Sequence, residues 1–224
     1  MTHELRTPLN IVIGYAELLM DDAKGQGKSA LAGDLEKIRS AARDLLALIG
    51  DILDLSKIEA GRVPLRIETF DVAGLVRDVA LAVRPLTDRK SNELKIELGD
   101  GLGVVQGDAI KVRQCLLNLL SNAAKFTQNG LITLSAARQA RDSADRLIFA
   151  VADTGIGLTT DQLARVFEPY AQADAATAAR FGGTGLGLSI TRELCRLMGG
   201  EVVAKSQPGK GSIFTIALPA NAMI

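Results

Sequence analysis

The sequence predicts an α+β protein in which a helical hairpin is followed by an α/β sandwich. Two observations indicate this fold class. Apolar residues recur at helical spacing throughout residues 1–60, whereas after residue 69 short alternating polar and apolar runs are mixed with helical stretches. We therefore expect a hairpin domain over residues 1–60, a linker over 61–69 and a second domain over 70–224.

The composition limits the classes of protein to be considered. The chain is 47% hydrophobic and 23% charged, which is ordinary for a soluble globular protein and excludes intrinsic disorder. Its 26 basic and 26 acidic side chains cancel, so there is no electrostatic reason to expect binding to nucleic acid or to an anionic membrane. Because no apolar run approaches the roughly 18–20 residues of a bilayer span, we expect this piece to be soluble, without direct membrane contact.

The two helices of the hairpin are defined by their apolar spacing. The first run follows steps of four and three residues: Leu5, Leu9, Val12, Ala16 and Leu19. The second run repeats the pattern within a wider apolar stripe: Leu35, Ile38, Ala42, Leu45, Ile49 and Ile52. Because one hairpin cannot bury stripes of this width, we expect two copies to form a four-helix bundle, that is, a homodimer. The alternative is that the hairpin packs on the second domain.

The second domain shows strand-like and helical segments in mixed order. The strand-like runs are RIETF, LKIEL, LITLSAA, RLIFAVAD, EVVAKS and SIFTIAL. The helical stretches fall at 71–88, 108–125, 160–167 and 186–198. This order predicts a sheet with one face covered by helices. Cys115 and Cys195 lie among Leu and Val at helical spacing, so we interpret them as core residues, which is consistent with a reducing compartment.

Two glycine clusters are candidates for phosphate binding. The first, from Asp153 to Gly157, follows a strand directly, and the second, over residues 182–187, opens a helix. Glycines let backbone N–H groups approach phosphate oxygens, and a helix N-terminus adds a favourable dipole. The alternative is that both clusters are flexible turns. Asp153 is placed either to accept a hydrogen bond from an adenine amino group or to cap the following turn.

A polar face on the predicted helix 108–125 provides a third candidate. Asn118 and Asn122 are four residues apart and share one face, and Lys125 follows three residues later. Amide oxygens are suitable ligands for Mg²⁺, and a lysine ammonium is a mobile charge for phosphate. For an isolated asparagine pair an exposed polar face is the simpler interpretation, but the two glycine clusters favour a binding role.

The only histidine of the chain lies in the segment from His3 to Pro8. His3 falls off the apolar seam, so we expect it to face solvent. An imidazole that is partly neutral at physiological pH can attack phosphorus, and the adjacent Glu4 can orient it or accept its proton. The alternative is an exposed histidine without a chemical role.

Taken together, the motifs resemble those of the sensor histidine kinases of two-component signalling. HELRTPLN resembles the H-box of that family, NLLSNAAKFT the N-box, DTGIGL the G1 box, FEPYAQAD the F-box and GGTGLGLSI the G2 box. They occur in the family order and extend over essentially the whole chain. The long F-box and the segment after it are most similar to those of hybrid kinases.

The resemblance implies roles for the hairpin. Residues 1–60 would form the family's dimerisation and histidine-phosphotransfer domain. His3 would be the phosphoacceptor, Glu4 its general base, and Thr7 the residue that positions water for dephosphorylation of a partner. In the family the first helix extends well upstream of the histidine, so we expect an excised core or a shortened chain that lacks the input domain and part of the dimer interface.

The resemblance also implies that the second domain is an ATP-binding α/β sandwich of the gyrase, Hsp90 and histidine kinase type. Asn122 would hold Mg²⁺, Asn118 and Lys125 would lie near the phosphates, and Asp153 would bind the adenine amino group. Residues 168–187 would form a lid over the nucleotide. The remaining nucleotide-binding residues implied by the boxes are Gly155, Gly157, Tyr170, Gly183, Thr184, Gly185, Leu186 and Gly187. Tyr170 stands where the family usually has Phe.

The implied function is that of a cytoplasmic histidine kinase core. It would autophosphorylate from MgATP and pass the phosphoryl group to an aspartate of a response regulator or receiver domain, with phosphatase activity as an additional expectation. Whether the full-length protein is anchored to a membrane is left open. One rival, an ATP hydrolase of the same superfamily, is disfavoured because Asn118 replaces the glutamate that activates water in those enzymes. A second rival, a scaffold that dimerises and binds nucleotide without phosphoryl transfer, stays open.

Overall fold

The computed structural model describes residues 2–141, 144–171 and 184–220, with the backbone alone described at residues 2–6, 59, 140, 141 and 144. The chain divides into two compact units, Met1–Lys57 and Ile58–Ile224. The first is a helical hairpin, and the second is a mixed α/β domain. This order confirms the predicted fold class.

The hairpin consists of α1 (Thr2–Gly25) and α2 (Ser29–Glu59). A tight turn joins them, with Gly27 in the left-handed region at φ 70°. Small and medium side chains are buried between the helices: Ala16, Met20, Ala23, Ala32, Leu35 and Ala42. Large apolar side chains remain exposed along both helices: Ile11, Val12, Tyr15, Leu18, Leu19, Leu31, Ile38, Leu45 and Ile52. A single hairpin therefore leaves much of the predicted apolar stripe exposed to solvent.

The second unit is built on a five-stranded sheet. Its strands are β2 (Glu93–Leu98), β4 (Leu131–Arg141), β5 (Ala144–Asp153), β6 (Glu201–Gln207) and β7 (Gly211–Pro219). They are hydrogen-bonded in the order β2-β4-β5-β7-β6. β2 runs parallel to β4, and the other neighbours are antiparallel.

A separate two-stranded ribbon pairs β1 (Glu68–Asp71) with β3 (Val104–Gly107). The sequence did not predict β3, because its four residues, VVQG, are too few to show an alternating pattern. The Asp108 carboxylate next to β3 accepts hydrogen bonds from the backbone N–H groups of Arg66 at 2.9 Å and Lys111 at 3.0 Å. Asp108 therefore caps the next helix and fixes the end of the predicted linker on the second unit.

The remaining helices of the second unit are α3 (Val72–Asp88), α4 (Ala109–Phe126), α5 (Thr160–Arg165) and α6 (Gly187–Leu197). Helices α3, α4 and α6 supply most of the helical side of the core. Alternate residues of the central strands are buried on the sheet side: Ile132, Leu134, Leu147, Phe149, Val151, Phe214 and Ile216. This arrangement confirms the predicted sandwich. The apolar side of α4, which includes Leu116, Leu119 and Leu120, is fully buried, so its polar residues lie on the opposite side.

Both cysteines lie in this core as predicted. Cys115 on α4 and Cys195 on α6 are free thiols and are buried. Contact with the Cys195 thiol and burial both raise the pKa of Cys115, which keeps it protonated. The pair therefore behaves as small core residues between α4 and α6.

Candidate functional site

The polar side of α4 is hydrogen-bonded to the first turns of α6. Asn118 Nδ2 donates a hydrogen bond to Thr191 Oγ1 at 2.7 Å, and that hydroxyl donates to the Gly187 carbonyl at 3.0 Å. A methyl group built on Gly187 would lie under 3.0 Å from Asn118 Oδ1, so a larger residue there would displace the Asn118 amide. The structure thus brings together one residue of the predicted helix face and one of the second glycine cluster. Asn122, one turn further along α4, is half-buried.

Two lysines meet at the C-terminal end of α4. The Lys125 ammonium lies 4.8 Å from the centroid of the Phe126 ring, which is within the range of a cation–π contact. Lys90 Nζ donates to the Lys125 carbonyl oxygen. Burial and the nearby Lys90 charge lower the pKa of Lys125. An anionic ligand would relieve this repulsion, which fits the predicted role of Lys125 near phosphate. Sequence reasoning missed Lys90, because it lies 35 residues from Lys125 and in no motif.

Asp153 ends β5 at the first glycine cluster. Its Oδ1 accepts a hydrogen bond from Gly155 N at 2.8 Å, so one oxygen caps the following turn. Burial raises the pKa of Asp153, and the N–H groups of Gly155 and Ser212 and the nearby Thr127 hydroxyl oppose this effect. Of the two roles considered for Asp153, the capping role is therefore present. The remaining acceptor capacity of the carboxylate is still available for a ligand.

The glycines of the first cluster are required by packing within the protein. A methyl group on Gly155 would overlap the Phe126 carbonyl oxygen, and one on Gly157, at φ 65°, would overlap the Gln207 carbonyl oxygen. The N–H of Ile156 donates to Phe126 O at 3.3 Å. The turn is thus held against the end of α4 and the end of β6. A direct role of these glycines toward phosphate stays a prediction.

The two ends of the predicted lid are joined by backbone contacts. Tyr170 adopts φ 60° and its N–H donates to the Gly185 carbonyl at 3.1 Å. Gly185 adopts φ 71°, and a methyl group there would lie 3.0 Å from Tyr170 Cα. Thr184 Oγ1 accepts from the N–H of Leu186, which is fully buried. Gly183 and the rest of the segment over residues 172–183 lie outside the described residues.

The predicted catalytic residues of the hairpin all fall on α1. Thr7 is exposed. The backbone at His3 and Glu4 is helical, but their side chains lie outside the described part of the structure. The helix continues through Pro8.

Thr127 is a further site residue that sequence reasoning missed as an individual position. It follows α4 directly, is 1% exposed, and its hydroxyl lies beside the Asp153 carboxyl, where it opposes the rise in the pKa of that group. The available signal was its place as the last residue of NLLSNAAKFT. Thr127 therefore belongs to the polar group that surrounds the Asp153 carboxyl.

Two other kinds of feature are absent from the part of the chain that the structure describes. No group of three or more His, Cys, Asp or Glu side chains within that part is arranged to hold a metal ion. None of its helices has the length and apolarity needed to span a membrane.

Two family models match the chain. Residues 107–222 match the histidine kinase-, DNA gyrase B- and HSP90-like ATPase family, and residues 1–61 match the His Kinase A phospho-acceptor domain. The first match defines the class of the second unit as an ATPase-type sandwich. The chain belongs to the sensor histidine kinases and contains both domains of their catalytic core.

Relatives and solved structures are consistent with this assignment. The chain is 38% identical to the autoinducer 2 sensor kinase/phosphatase LuxQ of Vibrio parahaemolyticus over 99% of its length and 26% of that protein. It is 39% identical to the sensor protein GacS of Pseudomonas syringae over 97% of its length and 24% of that protein. The crystal structure of full-length ShkA in complex with AMPPNP matches with a TM-score of 0.81 and 33% identity, over 99% of this chain and 45% of that one. The chain thus spans about a quarter of the length of these two curated relatives.

Proposed function

We propose that this chain autophosphorylates His3 from MgATP and transfers the phosphoryl group to an aspartate of a response regulator or receiver domain. The observation that carries the proposal is the contact between Asn118 and Thr191 near the start of α6, because it joins two segments 73 residues apart into one polar site. A site made of amide, ammonium and carboxylate groups suits a nucleotide polyphosphate. ShkA was solved with AMPPNP, an ATP analogue, which supports the same ligand class for this site.

The phosphoacceptor and ATP-binding roles are assigned to different predicted domains. Residues 1–60 carry the phosphoacceptor, residues 61–69 connect the domains, and residues 70–224 bind ATP. Asp153 accepts from the adenine amino group, while Asn118 and Lys125 lie near the phosphates. The lid over residues 168–187 closes over the nucleotide, with Tyr170 and Gly185 at its two ends. Positioning and charge neutralisation then supply most of the rate enhancement.

The transfer step is a displacement at phosphorus. One ring nitrogen of His3 attacks the γ-phosphorus, a P–N bond forms, the bond to the β–γ bridging oxygen breaks, and ADP leaves. Glu4 accepts the proton of the other ring nitrogen. In the second step a carboxylate oxygen of the receiver aspartate attacks the same phosphorus, so a P–O bond replaces the P–N bond and the imidazole is released.

Asn122 is the residue that would coordinate Mg²⁺. Its amide oxygen is a hard ligand of the kind that Mg²⁺ accepts beside phosphate oxygens. When bound, Mg²⁺ supplies neutralisation of the phosphate charge.

The hairpin provides the proposed surfaces for a second copy of the chain and for a receiver domain. Two copies pair through the exposed apolar stripes of α1 and α2, and a receiver domain approaches His3. One relative is named a sensor kinase/phosphatase, which supports a phosphatase activity in which Thr7 positions the attacking water. The core acts in the cytoplasm, where ATP is available.

The nucleotide site is tested by ATP binding with Mg²⁺ and with a chelator, measured by calorimetry. The parent is expected to bind more tightly with Mg²⁺, and Asn122→Ala is expected to lose most of that increase while it keeps the binding seen with the chelator. Gln128→Ala, an exposed polar residue beyond α4, is the matched control and should behave like the parent. Equal Mg²⁺ dependence in the parent and Asn122→Ala would contradict the assignment.

A further inference from the structure

We propose that Lys90 is a second cation of the nucleotide site, which together with Lys125 attracts the phosphate groups of the ligand. The inference rests on the proposed function, because it presumes that a nucleotide polyphosphate binds beside Lys125. It adds a residue that belongs to none of the sequence motifs, and it is derived from the like-charged pair at the end of α4.

The segment that carries Lys90 is hydrogen-bonded to the turn after α4. The Lys90 carbonyl accepts from Asn129 N at 3.0 Å. Two residues later, the buried Asn92 donates from Nδ2 to the Thr127 carbonyl at 2.9 Å and accepts at Oδ1 from Gly130 N at 3.1 Å. These bonds extend along the whole turn, so the main chain at Lys90 is fixed relative to the end of α4. The side chain therefore starts from a defined position.

The Lys90 side chain reaches the last turn of α4. Its Nζ donates to the Lys125 carbonyl oxygen. Carbonyls in the last turn of a helix have no donor within the helix, and a positive charge there interacts favourably with the helix dipole. The next carbonyl, that of Phe126, accepts from the N–H of Ile156 at 3.3 Å. The end of α4 is thus bonded both to the Lys90 segment and to the glycine turn after Asp153.

The positive charge of Lys90 is more than this hydrogen bond requires. A neutral side chain can also donate to a carbonyl, as Asn92 does for Thr127 in the same segment. Burial, and then repulsion by the Lys90 charge, lower the pKa of Lys125. Two ammonium groups that lie close together repel each other, and a ligand with several negative charges offsets this repulsion. The charge at position 90 therefore indicates a polyanionic ligand.

The position of the lysine pair corresponds to the phosphate end of the proposed ligand. Lys125 lies three residues beyond Asn122 on α4, and residues at this spacing share a helix face. The phosphate groups that would share Mg²⁺ with Asn122 are therefore within reach of Lys125. Lys90 adds its charge from a second segment of the chain. Because Coulomb interactions act over several ångströms, Lys90 need not touch a phosphate oxygen.

The experiment compares ATP binding at low and at high salt, measured by calorimetry with Mg²⁺. Lys90→Gln keeps a hydrogen-bond donor for the end of α4 and loses the charge, so it is expected to weaken ATP binding about fivefold at low salt. At high salt the difference from the parent should become small, because salt screens the charge. Lys90→Arg keeps the charge and should bind ATP like the parent.

A matched variant and a stability measurement are the controls. Arg89→Gln removes the same charge from the adjacent residue, which is exposed at the end of α3. Water screens a charge at such a position, so the loss of ATP affinity should be much smaller than for Lys90→Gln. Without nucleotide, Lys90→Gln should unfold at a temperature close to that of the parent, because the donor is kept.

The outcomes separate the inference from the proposed function. A parent that binds no ATP would overturn both. A parent that binds ATP, together with a Lys90→Gln variant that binds it equally well at low salt, would overturn the role of Lys90 alone. The same holds if the loss in Lys90→Gln is equal at low and high salt, or if this variant unfolds well below the parent, since Lys90 would then only stabilise the end of α4. An equal loss in Arg89→Gln would show an effect of net charge and would also overturn the inference.

Discussion

At the scale of single residues, Asp153 has a structural task in the protein and is also the proposed acceptor for the adenine amino group. Its Oδ1 accepts from Gly155 N, which shapes the turn after β5. Burial nevertheless raises the pKa of the carboxyl, because removal from water is unfavourable for the charged form. The native state therefore binds this proton more tightly than the unfolded chain. The contribution of Asp153 to stability is present at low pH and is lost as the pH rises through the native pKa.

The first prediction concerns Asp153→Asn. The change removes the buried charge, so thermal unfolding without nucleotide should show less loss of stability as the pH rises from about 4 toward neutrality. The same change should weaken ATP binding and reduce the preference for ATP over GTP, because an amide can present a donor to the adenine amino group. Asp88→Asn, at an exposed position, is the control. An unchanged ATP-to-GTP ratio in Asp153→Asn would contradict the assignment.

At the scale of secondary-structure elements, the glycine turn after β5 is positioned by its neighbours. Gly157 lies against the end of β6, where a side chain would overlap the Gln207 carbonyl oxygen. Its φ of 65° is also unfavourable for other residues. The turn that carries Asp153 therefore depends on close packing as well as on backbone freedom.

The second prediction separates these two requirements. Gly157→Ala is expected to lower the free energy of unfolding by about 2–4 kcal/mol, since it combines backbone strain with overlap. Gly209→Ala shares a left-handed φ of 74° but has nothing within 4 Å of the added methyl group, so it should cost only about 1 kcal/mol. Denaturant unfolding measures both. Equal losses in free energy of unfolding for the two variants would show that the overlap with the Gln207 carbonyl oxygen is relieved, which would contradict the packing argument.

The elements show what the sequence could and could not predict. The apolar spacing of α4 predicted its position to within one residue at each end, and the same spacing placed Asn118 and Asn122 away from the core. Local patterns could not show that Gly155 is needed for its contact with Phe126, or that Lys90 caps the end of α4. These contacts join distant segments. Thr127 was missed for the same reason, since its significance depends on its position beside Asp153, 26 residues further along the chain.

At the scale of the whole molecule, the hairpin exposes many large apolar side chains on both of its helices. Tyr15 is 64% exposed and Leu18 is 66% exposed, and both lie on α1. Contiguous exposed apolar surface of this kind marks an interaction site. A second copy of the chain supplies a matching surface by symmetry.

The third prediction is that the parent is a dimer by light scattering and that Leu18→Glu is a monomer or a much weaker dimer. A buried carboxylate at the interface is strongly unfavourable. Gln26→Glu, in the exposed turn between the helices, adds the same charge as a control and should leave the dimer intact. ATP binding should be retained in both variants, because the nucleotide site belongs to the second unit. A parent that stays monomeric at all concentrations, or a dimeric Leu18→Glu, would contradict the bundle.

The central expectation is phosphorylation of His3 by ATP. The most direct measurement is incubation with γ-labelled ATP and Mg²⁺, comparing the parent with His3→Gln and testing the label in acid and in alkali. We expect the parent to carry a label that is lost in acid and stable in alkali, and His3→Gln to carry none. An unlabelled parent that still binds ATP, or a label that persists in His3→Gln, would contradict the account.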